Sequence, residues 1–463
     1  MASYDLIVIG GGPAGYVAAI RATQLGKKAA CVEMDRAGGT CLNWGCIPTK
    51  ALLRNAELYQ VMTHKAKEFG FSFDNLDYDW EKIIGRSRKV ADKLAGGIEM
   101  LFKKNKVDYF RGEGRLKGPG QVTVVDKDGK EETLEGTSVM LATGCKSRPL
   151  PDLPFNGKSV ISSKEAMVLE QQPKSMVIIG GGAIGVEFAY FYNAFGTEVT
   201  VVEMMDHLLP VEDTEVSQAL EKSFKKQGIK ALTKSKVTGT KDHGDSVELT
   251  IESADGKSET IKAEVCLVAI GVMPVLPDGA DKVRLTDRGY IEVNDRYETS
   301  VRGVFATGDI IGAPWLAHTA SFEGIQAVNG MFDPKYKPRR VTLFPGCTYC
   351  HPQVASIGLT ERAAKEKGLD YRVGKFPFLA SGKALAVGEA EGFVKLVIDN
   401  KHGEVLGAHI IGENATELIA ELGLGMEMEM TWEDLETTIH AHPTLSEAVH
   451  EAAGQAFGHA IHI

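Results

Sequence analysis

The sequence predicts an α/β chain with two dinucleotide-binding units and a separate C-terminal α+β domain, and three observations predict it. An apolar run, a glycine turn of the form GxGxxG and a helical pattern open the chain, with Gly10, Gly12 and Gly15 as the glycines. The same unit recurs at Gly180, Gly182 and Gly185, and in both copies an acid closes the next strand 23 residues after the first glycine, at Glu33 and at Glu203. From about Thr342 the pattern changes to alternating strands followed by two helices. A lone GxGxxG is weak, because glycine turns recur in loops; two copies with the same strand, turn, helix, strand and acid spacing are a repeat of function.

The physical need behind the first unit is specific. YDLIVI at 4–9 reads as a short buried strand, GGGPAGYVAAIRATQLG as a turn opening a helix, and KKAACVE as the next strand. Glycines allow the tight turn and the close approach of backbone to a pyrophosphate at the helix N-terminus. The distant acid accepts hydrogen bonds from ribose hydroxyls. Residues 51–106 read mainly as helical scaffold, with Ile83, Ile84, Val90, Leu94, Ile98, Leu101 and Phe102 at threes and fours. Residues 107–140 alternate between turns KGPG and KDGK, a small antiparallel excursion that returns to the sheet at Ala142-Thr143-Gly144. RPLPDLP then carries the chain out of the domain.

Between the two units lies GGTCLNWGCIPTK, with Cys41 and Cys46 five residues apart. In a regular helix that step separates Cα atoms by roughly 8–9 Å, beyond the ~7 Å limit for a disulfide. A bond between them therefore requires a distorted turn, and Gly45 is placed to permit one. Thiols in a first helical turn face unpaired N–H groups, which favour a reactive thiolate. A structural disulfide does not suit a chain without a secretory signal, and zinc would want closer spacing and two more ligands. Spacing alone leaves redox activity and these alternatives open.

In the second unit Glu203 would repel a 2′-phosphate, and EMMDHLLP after it holds no arginine or lysine to receive one, so NAD is expected over NADP. Ala269-Ile270-Gly271 parallels the earlier Ala142-Thr143-Gly144. VRGVFATGD then places Asp309 at a strand end, either to bind a ribityl or ribose hydroxyl or to cap the helix LAHTASFEGIQAVNGM. The last chemistry-bearing stretch is HAHPTLSEAVHEAAGQAF. Thr444 and Glu447 read as a capping box, while His442 held against Glu447 reads as a proton carrier, and both can hold together.

Composition bounds the rest. At 463 residues, 43% hydrophobic and 25% charged, the chain has room for two to four domains with proper cores. A net charge of −10 argues against a nucleic-acid surface and leaves room for a basic partner. No targeting or membrane segment is expected: Leu6–Ile20 is interrupted by glycines and too short to span a bilayer. Seven cysteines, an odd number, fit a reducing compartment, the cytoplasm or a mitochondrial matrix if the chain was trimmed. Cys31 and Cys266 fall in core strands, and Cys347 and Cys350 form a CxxC without partners for a metal.

GGTCLNWGCIPTK, the two nucleotide units, ATGD and HPTLSE together resemble the flavin disulfide reductases, and within them the branch that oxidises dihydrolipoyl groups. The resemblance runs from about residue 4 to 460 in order, and its most specific pieces are the cysteine and HPTLSE segments. It implies a Rossmann-like FAD-binding domain over 1–149 with the redox cysteines, a Rossmann-like NAD-binding domain over 150–277, a central segment 278–345 completing the first, and a dimerisation domain over 346–463. Gly10, Gly12, Gly15, Glu33, Gly144 and Asp309 would hold FAD, and Gly180, Gly182, Gly185, Glu203 and Gly271 would hold NAD+/NADH. Cys46 would face the flavin and Cys41 exchange with substrate. Lys50 would lie by the flavin and pair with Glu187. His442, backed by Glu447, would serve the second subunit's Cys41 in a homodimer, with a cis peptide before Pro443. No metal is implied. The partners would be lipoyl domains of 2-oxo acid dehydrogenase acyltransferases or a glycine-cleavage carrier protein. The arginines that glutathione-reductase relatives carry after the second unit, and the C-terminal cysteine pair of mercuric reductases, are absent.

Overall fold

Strands without a polar face must be covered on both sides, and the two glycine units begin with such strands. Ser3–Ile9 and Ser175–Ile179 are buried along nearly their whole length. The computed structural model describes residues 3–463 and resolves into two compact units. One holds the described residues up to Leu52, Glu81–Arg148 and Gly271–Thr342; the other holds Leu53–Trp80, Pro149–Ile270 and Leu343–Ile463.

In the first unit Ser3–Ile9 pairs in parallel with Ala29–Glu33 on one side and with Glu131–Leu141 on the other. Asp108–Arg111 extends the sheet past Ala29–Glu33, and Val304–Ala306 pairs in parallel with the end of Glu131–Leu141. The eleven-residue strand Glu131–Leu141 serves three partners: its start pairs antiparallel with Gln121–Val125, and it runs parallel to Ser3–Ile9 on one side and, at its end, to Val304–Ala306. That is the excursion read from the alternation over 107–140. Helices Pro13–Gln24 and Ala317–Phe332 pack so closely that a Cβ on Gly324 would lie 2.6 Å from the Ala14 carbonyl oxygen.

One face differs from expectation. The long helix Trp80–Lys104 buries Ser87, Ala91, Ala95, Ile98 and Phe102, while Leu94 and Leu101 stay exposed. Small residues at four-residue steps let the helix lie close, so the larger leucines are displaced to the other face.

The second unit contains a five-stranded parallel sheet, in order Lys230–Leu232, Glu198–Val202, Ser175–Ile179, Val265–Val268 and Val160–Ile161. Ser235–Asp242, Val247–Ser253 and Ser258–Ala263 form a separate antiparallel sheet. The C-terminal part is a five-stranded antiparallel sheet of Gly346–Thr348, Gln353–Gly358, Val405–Gly412, Phe393–Asp399 and Tyr371–Pro377. Three helices follow where two are expected: Ala415–Glu427, Trp432–Thr437 and Glu447–Gln455. The extra one is a single short helix with its own capping box, Thr431 with Asp434, too brief to show a helical period in sequence.

Candidate active site

The first glycine turn is closed by the strand that ends at Ala142. Gly10 has φ +105°, and a Cβ there would sit 2.3 Å from the Ala142 oxygen; a Cβ on Gly15 would sit 1.8 Å from the Gly10 oxygen. These two glycines are demanded by packing. Gly12 is different: its Cβ would meet nothing nearer than 3.8 Å. It opens the helix Pro13–Gln24 without a side-chain cap, so N–H groups of the first turn point at open space. Room beside uncapped N–H groups is what a pyrophosphate requires, and the residues fit a dinucleotide.

Glu33 is buried, and its carboxylate takes N–H bonds from Gly11 at 2.7 Å and Asp35 at 2.8 Å. Burial holds it above the usual carboxylate range despite those bonds. The bonds fix the carboxylate beside the turn, and each oxygen retains a lone pair for a further hydroxyl.

The second unit repeats this atom for atom. Gly180 has φ +108° with the Ala269 oxygen 2.4 Å from its Cβ position, Gly185 approaches the Gly180 oxygen at 2.0 Å, and Gly182 meets nothing within 4 Å. Glu203 accepts from Gly181 N–H at 2.6 Å and Met205 N–H at 2.8 Å. The loop after it folds back, with Leu209 N–H donating to the Gly181 carbonyl at 2.8 Å. The parallel between Ala142-Thr143-Gly144 and Ala269-Ile270-Gly271 thus has a cause: each supplies the carbonyl against which its turn closes. Gly144 and Gly271 follow with φ +68° and +107°.

The cysteine segment lies on the first turn. A Cβ on Gly39 would be 2.5 Å from the Gly12 Cα, and Gly38 N–H donates to the Gly11 carbonyl at 2.8 Å. A six-residue helix, Gly39–Trp44, stops at Gly45, which has φ −153° and ψ −114°, and a new helix begins at Cys46. The required distortion is therefore a complete break at Gly45. It brings Cys41 and Cys46 into hydrogen-bonding distance of each other, with the Cys46 backbone N–H also directed at the Cys41 sulfur. Against the first-turn expectation, the Cys41 thiol is pushed far up, first by its bond to Cys46 and then by burial, with Lys50 acting in the opposite sense. The pair can carry one negative charge far more easily than two.

Asp309 does not cap the helix after it. It begins a short 3-10 turn, Asp309–Ile311, and the helix starts eight residues on at Ala317, after Leu316. Its carboxylate accepts no hydrogen bond from any described residue, and burial pushes it up to about 6. A partly buried acceptor without a donor suits a hydroxyl-bearing ligand. Two neighbours escaped the sequence reading. Buried Glu323 accepts from Gly308 N–H at 2.8 Å and so sets the turn that presents Asp309, and Cys145 Sγ donates to the Asp309 carbonyl at 3.3 Å. A glutamate amid small and apolar helix residues, ASFEGIQ, is the only trace Glu323 leaves in sequence.

Near the C-terminus His442 Nδ1 lies 2.9 Å from Glu447 Oε1, and Thr444 N–H donates to Glu447 Oε2 at 2.8 Å. The Thr444 hydroxyl turns instead to the Ala441 carbonyl at 2.7 Å, and the helix Glu447–Gln455 begins after Ser446, so Thr444 does not cap it and only the Glu447 half of the expected box is made. Burial works against ionisation of Glu447, but the bonds from Thr444 and His442 hold it below the usual range. An ionised carboxylate can only accept, which places the proton on Nδ1 and leaves Nε2 as the base. The imidazole is 80% exposed, open to a partner from outside. The His442–Pro443 peptide is cis, as are Ala313–Pro314 and His351–Pro352. Glu187 is buried and accepts from Tyr349 N–H at 2.9 Å. Among the described residues no cluster of three or more metal-ligating side chains occurs, and no helix is long and apolar enough to cross a membrane.

Residues 4–324 match the family described as pyridine nucleotide-disulphide oxidoreductase, and residues 344–453 match that family's dimerisation domain. The chain belongs to this family. Among similar proteins of the pyridine nucleotide-disulphide oxidoreductases, the dihydrolipoyl dehydrogenase of Zymomonas mobilis is 45% identical, covering 99% of both chains. That of Rhizobium etli is 44% identical over 98% of each. The crystal structure of LpdA from Mycobacterium tuberculosis is 25% identical with a TM-score of 0.87, covering 97% of this chain and 98% of that one. The family's dimerisation domain is present, so the oxidoreductase has the means to pair with a second copy.

Proposed function

We propose that this oxidoreductase oxidises protein-bound dihydrolipoyl groups to the cyclic disulfide and reduces NAD+, through a Cys41–Cys46 disulfide and FAD. The observation that carries the reading is the cysteine pair, in hydrogen-bonding distance and seated on the first glycine turn through Gly39 and Gly12. Full-length similarity to dihydrolipoyl dehydrogenases supports it.

In this reading Gly10, Gly12, Gly15, Glu33, Gly144 and Asp309 hold FAD, and Gly180, Gly182, Gly185, Glu203 and Gly271 hold NAD. Bound FAD supplies two-electron chemistry between the sulfur pair and the nicotinamide. His442 Nε2 takes a proton from a dihydrolipoyl thiol while Glu447 holds the imidazole and balances its charge. The substrate thiolate attacks Cys41, forming a mixed disulfide and releasing Cys46 as thiolate; the second substrate sulfur then displaces Cys41. One substrate dithiol becomes a disulfide as one protein disulfide becomes a dithiol. Lys50, beside the pair, offsets negative charge there and pairs with Glu187. His442 serves the Cys41 of the second copy in a homodimer. The lipoyl carriers are acyltransferases of 2-oxo acid dehydrogenases or a glycine-cleavage carrier protein.

Steady-state assays test this. Cys41→Ser and Cys46→Ser should each lower lipoamide turnover at least a thousandfold while FAD stays bound, and wild-type protein should prefer lipoamide to glutathione disulfide. Normal turnover in either variant removes the sulfur pair from the reaction.

A further inference from the structure

Arg88, on the helix Trp80–Lys104, reaches the C-terminal end of the short helix that carries Cys41. Its Nη1 donates to the Asn43 carbonyl at 2.8 Å, and its guanidinium lies 4.9 Å from the centre of the Trp44 ring. Nη2 is buried without a partner, and burial holds Arg88 below its ordinary range. A cation held at that desolvation cost suits its place, since a helix C-terminus presents unpaired carbonyls and the negative end of the dipole.

Asn43 lies between the two cysteines and is 1% exposed. Its amide Nδ2 donates to the Ala37 carbonyl at 3.1 Å and the Gly39 carbonyl at 3.0 Å. The Gly39 carbonyl belongs to the residue packed against Gly12. Across the break, the Thr49 hydroxyl and N–H both donate to the Gly45 carbonyl, at 2.7 and 3.1 Å. The Cys41 helix is thus tied at its start by Asn43 and at its end by Arg88.

We propose that Arg88 and Asn43 are positioning residues for the Cys41–Cys46 pair, holding the two sulfurs at exchange distance while the bond between them is open. The inference rests on the reading of this pair as the redox centre. In the closed form the S–S bond itself joins the helices. When a dithiol reduces that bond, two electrons and two protons enter, and the remaining covalent link between the cysteines is backbone running through Gly45. Glycine itself restrains the break little and the Thr49 bonds hold only its Cys46 side, so the orientation of the Cys41 side falls to the Asn43 and Arg88 contacts. Thiols ordered in advance close a disulfide more favourably, because the ordering cost is already met. Cys46 then also resolves a mixed disulfide on Cys41 faster than a competing thiol.

The test uses the FAD-loaded protein with Arg88→Met, Arg88→Lys and Asn43→Ala, equilibrated in dithiothreitol buffers and read by alkylation and mass spectrometry at Cys41 and Cys46. The equilibrium constant for closing should fall at least tenfold in Arg88→Met, a rise of about 30 mV in reduction potential for this two-electron couple. Asn43→Ala should move in the same direction, Arg88→Lys should fall between, and the mixed disulfide at Cys41 should accumulate in turnover. NADH oxidation by an artificial acceptor should stay within twofold. An unchanged closing constant in Asn43→Ala and Arg88→Lys overturns the proposal, as does equal loss in both activities, the mark of a merely structural role. Should Arg88→Met fail to fold, the other two variants still decide. If wild type does not turn over lipoamide, the functional reading fails while the thiol equilibrium still reads the clamp.

Discussion

Asp309 and Glu212 show how burial turns single carboxyls into reporters. Asp309 titrates near 6, with burial as the cause, and has no protein donor. In flavin-free protein its ionisation at neutral pH costs stability, so Asp309→Asn should raise the melting temperature at pH 8 and leave it unchanged at pH 4. The same substitution should weaken flavin retention, because a carboxylate accepts hydroxyl bonds more strongly than an amide. Retention equal to wild type in a dialysis assay separates Asp309 from the cofactor. Glu212, buried with one oxygen unpaired, is pushed up to about 7, mainly by burial. A folded value above the unfolded one of about 4.3 means stability is complete below pH 4 and is lost as pH rises through 7, by about 4 kcal/mol. Glu212→Gln should make that slope shallower in melts between pH 5 and 8, leaving the share that Asp309 contributes, and an unchanged slope assigns it elsewhere. His442→Gln should slow the thiol half-reaction a hundredfold or more while sparing NADH oxidation by artificial acceptors. Equal loss in both assays contradicts a base role.

Among elements, the glycine turns make the sharpest demands. Gly15→Ala would drive a Cβ to 1.8 Å from the Gly10 oxygen and Gly185→Ala to 2.0 Å from the Gly180 oxygen, so in each case helix and strand must part. The first should release FAD, and the second should raise the NADH KM at least tenfold with FAD retained. Retained FAD in the first, or an unchanged KM in the second, detaches that turn from its nucleotide. These turns were legible in sequence because their residues are local: strand, glycines, helix and acid fall within about thirty positions. The break at Gly45 was legible for the same reason, since five residues of regular helix cannot bring two sulfurs together. Arg88, Glu323 and Cys145 were not, because each acts on a segment far from it along the chain. Arg88 lies 45 residues from Asn43, and Cys145 lies 164 from Asp309. The upward displacement of Cys41 escaped for another reason: a first-turn argument counts the dipole and omits the second sulfur. The half-made box at Thr444 shows a motif whose spacing was right and whose hydroxyl chose a closer carbonyl.

For the molecule as a whole, the proposed site takes Cys41 from one copy and His442 from a second. The imidazole of His442 is exposed, its carboxylate partner is fixed, and the family's dimerisation domain spans 344–453. Mixing Cys41→Ser protein with His442→Gln protein should regenerate activity in hybrid dimers, near half that of wild type, because one of the two sites then receives an intact cysteine and an intact histidine. No recovery would place both residues in one chain's site. Within the second unit, fully buried Lys395 binds Asp213 at 2.9 Å, Glu215 at 2.8 Å and Glu361 at 2.6 Å, joining the helix Thr214–Gln227 to the C-terminal sheet. Truncating it to methionine strands the buried Asp213 carboxylate, while the half-exposed Glu215 keeps Lys375 at 2.8 Å, and should cost about 3 kcal/mol, read as a lowered melting temperature. The most direct measurement is anaerobic: one equivalent of dihydrolipoamide is added to oxidised protein, thiols are trapped by alkylation, and the labelled cysteines are identified by mass spectrometry. Label on Cys41 and Cys46 together, matched by one equivalent of cyclic lipoamide, is the predicted result. Lipoamide formed while both cysteines resist labelling, or label confined to Cys145, Cys347 or Cys350, would contradict it.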